Sequence, residues 1–430
     1  MTKGSRTAIA LGAILAVVAG FFVSAPAQAA PRPILVWVDA AYKGAAEALF
    51  AKGYKKRAVK VKVHEMSTIV TDLQGIDPNK APDIILVENE QIGELATAAL
   101  LTPVELTPTV SRSLSSIAVN SFKFGESIFG VPMQRQNVAL ITNATMIPTA
   151  PKTYKKLSKL ALKSVADGVA QIPFAVPQGL DGDAYSTYPL FSGLGGFVYG
   201  TNAFGSVNVN KVGINNKKFR KNQSQIDEWN KSGLLNSALT ADEARAAFLE
   251  GRAPFWITGP EDIANLKTVN FRYRISMVPS IVKGVNTSPF MKSIGFAVTS
   301  FASAHKVLPA SRDLVTNLNT SAKAQTTFST NSPYVGLPAN TSAAAASPDR
   351  VLLAFGSSAI GAVPYPNVSE WGVASVALGG AWRDATRGGD AVPAAQAFAA
   401  ARAQVIAAQA AAAAPAETPE APGTTTPAIP

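Results

Sequence analysis

The 430-residue sequence contains no cysteine and only two histidines. Without cysteine the chain has no disulfide, no thiolate nucleophile and no Cys-ligated zinc, iron or copper. His64 and His305 stand in charged or loop settings without a partner motif, so a histidine-based catalytic triad is not expected. The patterns H-E-x-x-H and G-x-S-x-G and the phosphate-binding P-loop are also missing. The sequence therefore predicts no catalytic residue, no metal site and no cofactor.

Long apolar runs are scarce as well, with one at the N-terminus. Lys3 and Arg6 precede an uncharged apolar run over 8–23, and Ala27-Gln28-Ala29 supplies a small-x-small cleavage pattern. This order is typical of a secretory signal peptide, here residues 1–29, cut after Ala29. An uncleaved membrane anchor is the alternative, because the run is only slightly shorter than a membrane span. We expect an exported protein of the periplasm, cell envelope or extracellular space, without a lipoprotein cysteine.

Negative charge is scarcer than positive charge, and the formal net charge is +11. The basic residues form short runs at 52–62, 152–163 and 217–221. No aromatic interleaving or recognition-helix pattern accompanies these runs, so they predict solvated faces and no nucleic-acid partner. Roughly 400 residues remain after the signal, which favours two domains. The segment 407–430, rich in Ala, Pro and Thr, is predicted to be a disordered tail.

Short apolar runs alternate with helical patterns in the first hundred mature residues. Strands are predicted at 34–38, 59–63 and 83–87, with helical spacing over 43–56 and 91–101. Strands separated by helical segments are typical of a parallel sheet with crossover helices, so the fold class is α/β.

The middle of the chain carries further strand patterns. Runs at 127–132 and 137–143 predict strands joined by the polar stretch 133–136, and 254–260 predicts a strand that ends in a tight turn. Thr240 and the glutamate three residues later have capping-box spacing at the start of a predicted helix.

Several short segments occur in the order found in one known family. They are 35–39 (LVWVD), 81–85 (APDII), 129–132 (FGVP) leading to 140–143 (LITN), 253–260 (APFWITGP) followed by Val278-Pro279, and 294–298 (IGFAV); the run 148–156 (PTAPKTYKK) is similar to a P-x-x-P-K-T-W loop with Tyr154 in place of Trp. On these segments the chain resembles the extracellular sugar-binding proteins of ABC importers, the family that includes the maltose/maltodextrin-binding protein.

The resemblance implies a periplasmic-binding-protein-like fold, with two discontinuous α/β lobes joined by a hinge and a ligand cleft between them. Lobe 1 would comprise 31–135 plus 294–340, and lobe 2 would comprise 140–290 plus 345–405. Crossovers are expected near 133–138, 287–293 and 338–347. The implied function is that of a monomeric receptor, not an enzyme, which delivers a sugar or oligosaccharide to ABC permease subunits by lobe closure.

Sugar clefts need hydrogen-bonding groups and aromatic rings, and ligands of open α/β sheets lie beyond the strands' carboxyl ends. These two considerations give the candidates that follow strands, and the resemblance implies those in the hinge loop, in lobe 2, after the Gly-Pro turn and in the late loop. The candidates are Asp39 and Tyr42 after the first strand; Glu88, Glu90 and Gln91 after the third; Arg135 and Gln136 in the expected hinge loop; Asp183 and Tyr185 in lobe 2; Glu261 after the Gly-Pro turn; and Tyr365 and Trp371 in a late loop. Structural alternatives are helix N-terminal charges at Glu88 and Glu90 and plain turn chemistry at Asp183.

The chain departs from the family pattern at two expected stacking positions, where Val87 and Glu261 replace tryptophan. These replacements favour a ligand smaller or more polar than a long maltodextrin. The alternative functions are a binder of the same fold for a charged or small polar solute, such as glycerol phosphate or a polyamine, and an extracellular hydrolase that uses two carboxylates such as Glu88 and Asp183.

Overall fold

The computed structural model describes residues 31–236 and 238–413. The predicted signal peptide and residues 414–430 of the predicted tail lie outside the described residues. The strands of the described ranges are β1 Ile34–Val38, β2 Val59–Val63, β3 Ile84–Glu88, β4 Leu101–Thr102, β5 Lys123–Phe124, β6 Ser127–Ile128, β7 Val131–Asn137, β8 Ala139–Asn143, β9 Tyr199–Thr201, β10 Val207–Val212, β11 Phe255–Thr258, β12 Tyr273–Ser276, β13 Phe290–Thr299, β14 Leu337–Pro338 and β15 Val363–Pro364.

The helices of the same ranges are mostly short. They are α1 Lys43–Phe50, α2 Ile69–Gly75, α3 Ile92–Thr97, α4 Pro108–Ser113, α5 Ser116–Ser121, α6 Tyr154–Ala166, α7 Ala184–Gly193, α8 Lys217–Arg220, α9 Ser224–Lys231, α10 Ala241–Leu249, α11 Ile263–Leu266, α12 Phe301–Ala304, α13 Leu308–Asp313, α14 Ala322–Asn331, α15 Thr341–Ala345, α16 Arg350–Ser357, α17 Trp371–Ala385 and α18 Ala394–Ala413. None of the helices in these ranges combines the length and apolar character that a membrane crossing requires.

The larger sheet has the strand order β14-β7-β13-β3-β1-β2, and β4 and β15 also pair with β13. β1 is parallel to β2 and β3, whereas β13 is antiparallel to β3 and β7. The first four residues of β3 are buried because helices cover both faces of the sheet, and this burial explains the continuous apolar run. β2 lies at the edge with Lys60 and Lys62 exposed, which protects the edge from pairing with another chain. The three predicted strands are confirmed.

The smaller of the two main sheets, called the smaller sheet below, has the order β11-β8-β12, with both pairs antiparallel. β9 and β10, and β5 and β6, form separate two-stranded sheets. The strand and tight turn predicted at 254–260 are confirmed as β11 followed by a 3-10 turn over Pro260–Asp262. The predicted start of α10 is confirmed too, because Thr240 Oγ1 accepts from Glu243 N (3.2 Å) while Glu243 Oε2 accepts from Thr240 N (2.9 Å).

The chain passes between the two sheets three times. β7 belongs to the larger sheet and β8 to the smaller one, with only Val138 between them. The segment 277–289 returns the chain to the larger sheet at β13, and the third passage lies between β14 and α16, which packs against β12. These passages make two α/β lobes from discontinuous segments, while the residue boundaries of the lobes stay a prediction.

One local prediction about these passages is wrong. The polar stretch 133–136, predicted as a connection between two strands, is strand within β7. Strand pairing on both sides of β7 satisfies the backbone there, so polar side chains such as Gln134 are compatible with a buried strand.

The core of the second lobe includes the last helix. Phe398 of α18 packs against Phe219, with ring centroids 4.7 Å apart, and against Trp382 of α17 at 5.5 Å. α18 continues to Ala413, so the prediction that the disordered tail begins at residue 407 is wrong for 407–413. Alanine has the highest helix propensity, and the packed first turns of α18 nucleate the rest.

A buried, hydrogen-bonded pair of a histidine and an aspartate joins three segments of the first lobe. His305 Nδ1 lies 2.6 Å from Asp83 Oδ1, and His305 Nε2 lies 2.6 Å from the carbonyl oxygen of Pro78. The second carboxylate oxygen of Asp83 accepts a hydrogen bond of 2.7 Å from Leu35 N. His64 also has a carboxylate partner, since its Nε2 lies 2.9 Å from Asp72 Oδ2. Asp83 is distant from His305 in the sequence, whereas Asp72 lies eight residues after His64. No sequence motif marks either pair.

We predict that His305→Ala lowers the free energy of unfolding by about 3–5 kcal/mol, because it leaves the Asp83 carboxylate buried without its partner. Urea denaturation followed by circular dichroism measures the change. The matched control is His64→Ala, which removes the corresponding partner of the exposed carboxylate of Asp72. An equal loss of stability in both variants would contradict the prediction.

Candidate functional site

The loops that follow β1 and β3 form one wall of a cavity of about 580 Å³. β1 and β3 are parallel neighbours, so the residues after their carboxyl ends meet at the same sheet edge. The predicted residues that line this cavity are Asp39, Tyr42, Glu88, Glu90 and Gln91; two further carboxylates, Glu65 and Glu94, line it as well. This wall is therefore acidic in a protein of positive net charge.

Glu88 and Gln91 of this wall also have local structural roles. The two residues form a capping box in which Gln91 Oε1 accepts from Glu88 N at 3.3 Å, and Gln91 Nε2 donates to Met66 O at 2.8 Å. Burial raises the pKa of the Glu88 carboxyl, the neighbouring charge of Glu90 raises it further, and Lys292 opposes both effects. Burial also raises the pKa of the Tyr42 hydroxyl to about 12, with contributions from Glu88 and Asp39.

The second lobe contributes Asp183 and Tyr185 from the start of α7. Asp183 Oδ1 accepts hydrogen bonds from Tyr185 N (2.7 Å) and Ser186 N (2.9 Å), so this carboxylate caps the helix. Gly182 adopts φ +80°, and a Cβ there would lie 2.0 Å from the carbonyl oxygen of Gly379 in α17. The loop is thus held tightly against α17, and this contact orients Tyr185. A ligand role for Asp183 stays a prediction.

Tyr185 and Tyr365 meet edge to face, with ring centroids 5.7 Å apart and planes at 75°. They also line a second cavity, of about 930 Å³, which continues along α17 and α18. The loop that carries Tyr365 is held by the buried Asn89, which donates to Tyr365 O (2.9 Å) and accepts from Ser293 N (2.8 Å). A side chain of the first lobe thereby sets the position of an aromatic ring in the cleft.

The expected exposure of Trp371 to the cleft is wrong. Its side chain is buried, with 6% relative exposure, and packs edge to face against Tyr365 at 5.1 Å and Phe290 at 5.4 Å. α17 begins at Trp371 and turns the indole into the core of the second lobe. Trp371 supports Tyr365 and presents no face on which a sugar could stack.

Lys292, which the sequence analysis does not single out, contacts residues that line both cavities. Its Nζ is 3.6 Å from Glu90 Oε2, 4.5 Å from the ring centroid of Tyr365 and 5.3 Å from that of Tyr185. Burial alone would lower the pKa of Lys292, but Glu90 and the other nearby groups outweigh burial and raise it. Lys292 therefore remains a cation that contacts groups from both sides of the cleft.

Two tyrosine hydroxyls in this region are buried without a hydrogen-bond partner, those of Tyr185 and Tyr334. Burial raises the pKa of both hydroxyls well above the usual range, and the charges of Glu88 and Glu261 raise both further. Both groups are thus neutral and able to donate and accept. Because the charges of Glu88 and Glu261 act on both hydroxyls, both lie within electrostatic range of these cleft carboxylates.

Arg135 and Gln136 lie in β7 and not in a hinge loop, so that expectation is wrong. β7 lies between the edge strand β14 and β13 in the larger sheet, and its pairing with β13 extends to the last residue before Val138. Arg135 pairs through its backbone with Ser293 and Leu337, and its Nε is buried without a partner. Burial lowers the pKa of its guanidinium.

Glu261 and Val87, the two departures from the family pattern, lie in different surroundings. Glu261 follows β11 and is exposed to solvent on one side. The protein around its carboxylate removes part of the hydration of that group, and this desolvation raises the pKa of Glu261. Its Oε1 accepts from Gly259 N at 3.2 Å. Val87 is buried in the sheet, with 1% exposure, so its side chain is not in the cleft and says nothing about the ligand. The expectation of a smaller ligand retains only Glu261 as support.

The sequence analysis missed Lys292 and Tyr334. Lys292 is the single charged residue of a mostly apolar strand, and this contrast is the signal that could have marked it. Tyr334 carries no such signal, because its position depends on the third passage between the lobes.

Residues 45–351 match the family model of the bacterial extracellular solute-binding proteins. The chain belongs to this family. The resemblance stated from the sequence is thereby confirmed, and this family is one of solute-binding proteins that act outside the cytoplasm.

Individual relatives are distant. The chain is 27% identical to the maltodextrin-binding protein MdxE of Bacillus subtilis (strain 168) over 292 residues, which are 64% of this chain and 67% of that protein. It is 26% identical to the galactooligosaccharide-binding protein of the same organism over 288 residues, 65% of this chain and 67% of that protein. It is 24% identical to a maltooligosaccharide ABC transporter solute-binding lipoprotein of Streptococcus pneumoniae serotype 4 over 366 residues, 79% and 80% of the two chains.

A solved structure confirms the predicted fold. The crystal structure of a cyclo/maltodextrin-binding protein complexed with maltotetraose superimposes with a TM-score of 0.76 at 20% identity. The match covers 89% of this chain and 98% of that chain. The two-lobed periplasmic-binding fold is therefore that of this protein.

We predict that Glu88→Gln stabilises the ligand-free protein at pH 7.5 but not at pH 4. The folded-state pKa of Glu88 is raised, so its contribution to stability is present at low pH and is lost as pH rises through that pKa. Glutamine is neutral throughout and avoids this loss. Thermal unfolding of both proteins at the two pH values measures the difference, with Glu105→Gln at an exposed position as control. A pH-independent effect of Glu88→Gln would contradict the prediction.

Proposed function

We propose that this protein is an exported receptor that binds a neutral sugar or oligosaccharide between its lobes and delivers it to the permease subunits of an ABC importer. The observation that carries the proposal is the pair of buried, unpartnered hydroxyls of Tyr185 and Tyr334 in one region of the cleft. An unpaired buried hydroxyl costs free energy in the empty protein, and sugar hydroxyls would satisfy both groups.

Other groups in the cleft support a sugar ligand. The partly exposed ring of Tyr365 offers an apolar surface for a pyranose, and Trp371 fixes its orientation from behind. The carboxylates of Glu88 and Glu261 are acceptors for sugar hydroxyls, and Arg135 and Lys292 are donors. The names of the relatives from Bacillus subtilis and Streptococcus pneumoniae agree with an oligosaccharide.

The acidic wall favours a second candidate ligand, a cationic solute such as a polyamine. Asp39, Glu65 and Glu94 of this wall form no salt bridge among the described residues. Lys292 opposes this alternative, because its ammonium places a positive charge beside Glu90 and the rings of Tyr185 and Tyr365. We therefore rank the cationic solute below the neutral sugar.

The mode of action follows from the lobes. The ligand would contact Glu88 on one side and Tyr185 on the other, so closure of the lobes would complete the site. The proposed receptor is a monomer outside the cytoplasmic membrane and performs no hydrolysis. Asp183, one carboxylate that a hydrolase would need, is occupied as a helix cap.

Isothermal titration calorimetry of the mature chain tests the ligand class. The panel comprises maltose, maltotriose, maltotetraose and a galacto-oligosaccharide, with putrescine and glycerol 3-phosphate as charged solutes. We expect saturable binding of at least one neutral sugar. Binding of a charged solute with no response to any sugar would refute the proposal.

We predict that Tyr185→Phe and Tyr334→Phe each weaken sugar binding without lowering the thermal stability of the empty protein. Each change removes a hydroxyl that gains its hydrogen bond only from the ligand, worth about 1 kcal/mol or roughly fivefold in Kd. Calorimetry and thermal unfolding measure the two effects.

Tyr154→Phe is the matched control for these variants. The Tyr154 hydroxyl is also buried without a partner, but it lies in the core of the second lobe against Trp229. We expect unchanged sugar affinity in this variant. A loss equal to that of Tyr185→Phe would show that the effect is not specific to the cleft.

A further inference from the structure

Lys292 occupies a site with the geometry of a cation-binding pocket. The rings of Tyr185 and Tyr365 stand at 75° to each other and form an aromatic corner, with the carboxylate of Glu90 beside it. The ammonium of Lys292 lies within 5.3 Å of both ring centroids and 3.6 Å from the carboxylate. Two perpendicular rings and a carboxylate are the groups that bind alkylammonium ligands.

Lys292 also contacts residues that line two different cavities. Glu90 belongs to the acidic cavity of the first lobe, whereas Tyr185 and Tyr365 line the cavity along α17 and α18. The ammonium of Lys292 therefore lies between residues that line the two cavities. The side chain of Lys292 is only 27% exposed, so its charge is incompletely screened by water.

We propose that Lys292 is a specificity-determining residue, a tethered cation that fills the aromatic corner and excludes cationic solutes from the cleft. This inference rests on the proposed function in that it explains why the ligand is neutral despite the acidic wall. A neutral sugar meets no repulsion from Lys292 and accepts hydrogen bonds from its ammonium. An external ammonium ion meets both the occupied corner and a like charge.

The test removes the tethered cation and supplies it from solution. Lys292→Ala deletes the side chain beyond Cβ, and n-propylammonium has the same atoms as the deleted part. Binding to the folded variant is measured by titration calorimetry and by the shift in melting temperature. The neutral probe is 1-propanol, in which a hydroxyl replaces the ammonium.

Lys55→Ala provides the matched control. Lys55 also lies beside a tyrosine ring, Tyr54, at 5.4 Å from the centroid, and forms an ion pair with Asp313. That site has one ring instead of two, and the lysine side chain is 69% exposed. Removal of Lys55 should therefore create no comparable pocket.

We expect Lys292→Ala to bind n-propylammonium at least about tenfold more tightly than the unmodified protein or Lys55→Ala, with no gain for 1-propanol. The double variant Lys292→Ala/Tyr365→Leu should lose the acquired binding, which locates it in the aromatic corner. Lys292→Ser serves as a second variant should Lys292→Ala unfold.

Equal responses of Lys292→Ala and the unmodified protein, or binding that survives the loss of Tyr365, would overturn the inference. The sugar titration of the unmodified protein stands apart from this result. A protein that binds no sugar refutes the proposed function, while the ammonium experiment still reports on the aromatic corner.

Discussion

The pairing of β13 with its neighbours is the constraint on which the rest of the structure depends. This ten-residue strand pairs with β3 and β7 along its length and with β4 and β15 at its ends. β13 enters the larger sheet directly after the chain leaves the smaller sheet. The start of β13 therefore lies next to a passage between the two lobes. Lys292 and Ser293 lie at its start, and their positions in the cleft follow from the register of β13 with β7.

The same strand couples the two walls of the cleft through polar contacts. Asn89 bonds both to Ser293 and to the loop of Tyr365, and Lys292 contacts Glu90 and two aromatic rings. Several polar groups here are costly in the empty protein, namely the unpartnered hydroxyls of Tyr185 and Tyr334 and the desolvated carboxylate of Glu88. In the core of the first lobe, Asp83 by comparison has a hydrogen-bond partner at each carboxylate oxygen. Polar groups left without partners in a cleft are typical of a site that gives up stability for binding.

Much of the fold was predictable because local patterns and tertiary burial agree. The apolar runs of β1 and β3 are continuous because both faces of the sheet are covered, and the capping box of α10 is a local interaction. Prediction failed where distant partners decide the outcome. The polar residues 133–136 form a strand because two neighbouring strands satisfy their backbone, and residues 407–413 are helical because α18 is anchored by Phe398.

By itself the sequence determined the α/β class, the family and the set of loops that meet at the cleft, because strand patterns, turn residues and segment order are local properties. It also supplied most of the carboxylates and tyrosines of the candidate site. Only the tertiary structure decided which side chains act there. It buried Trp371 and Val87, brought Tyr334 within electrostatic range of Tyr185, and set Lys292 between two rings and a carboxylate. These outcomes depend on how discontinuous segments of the two lobes approach one another, and no stretch of neighbouring residues encodes that approach.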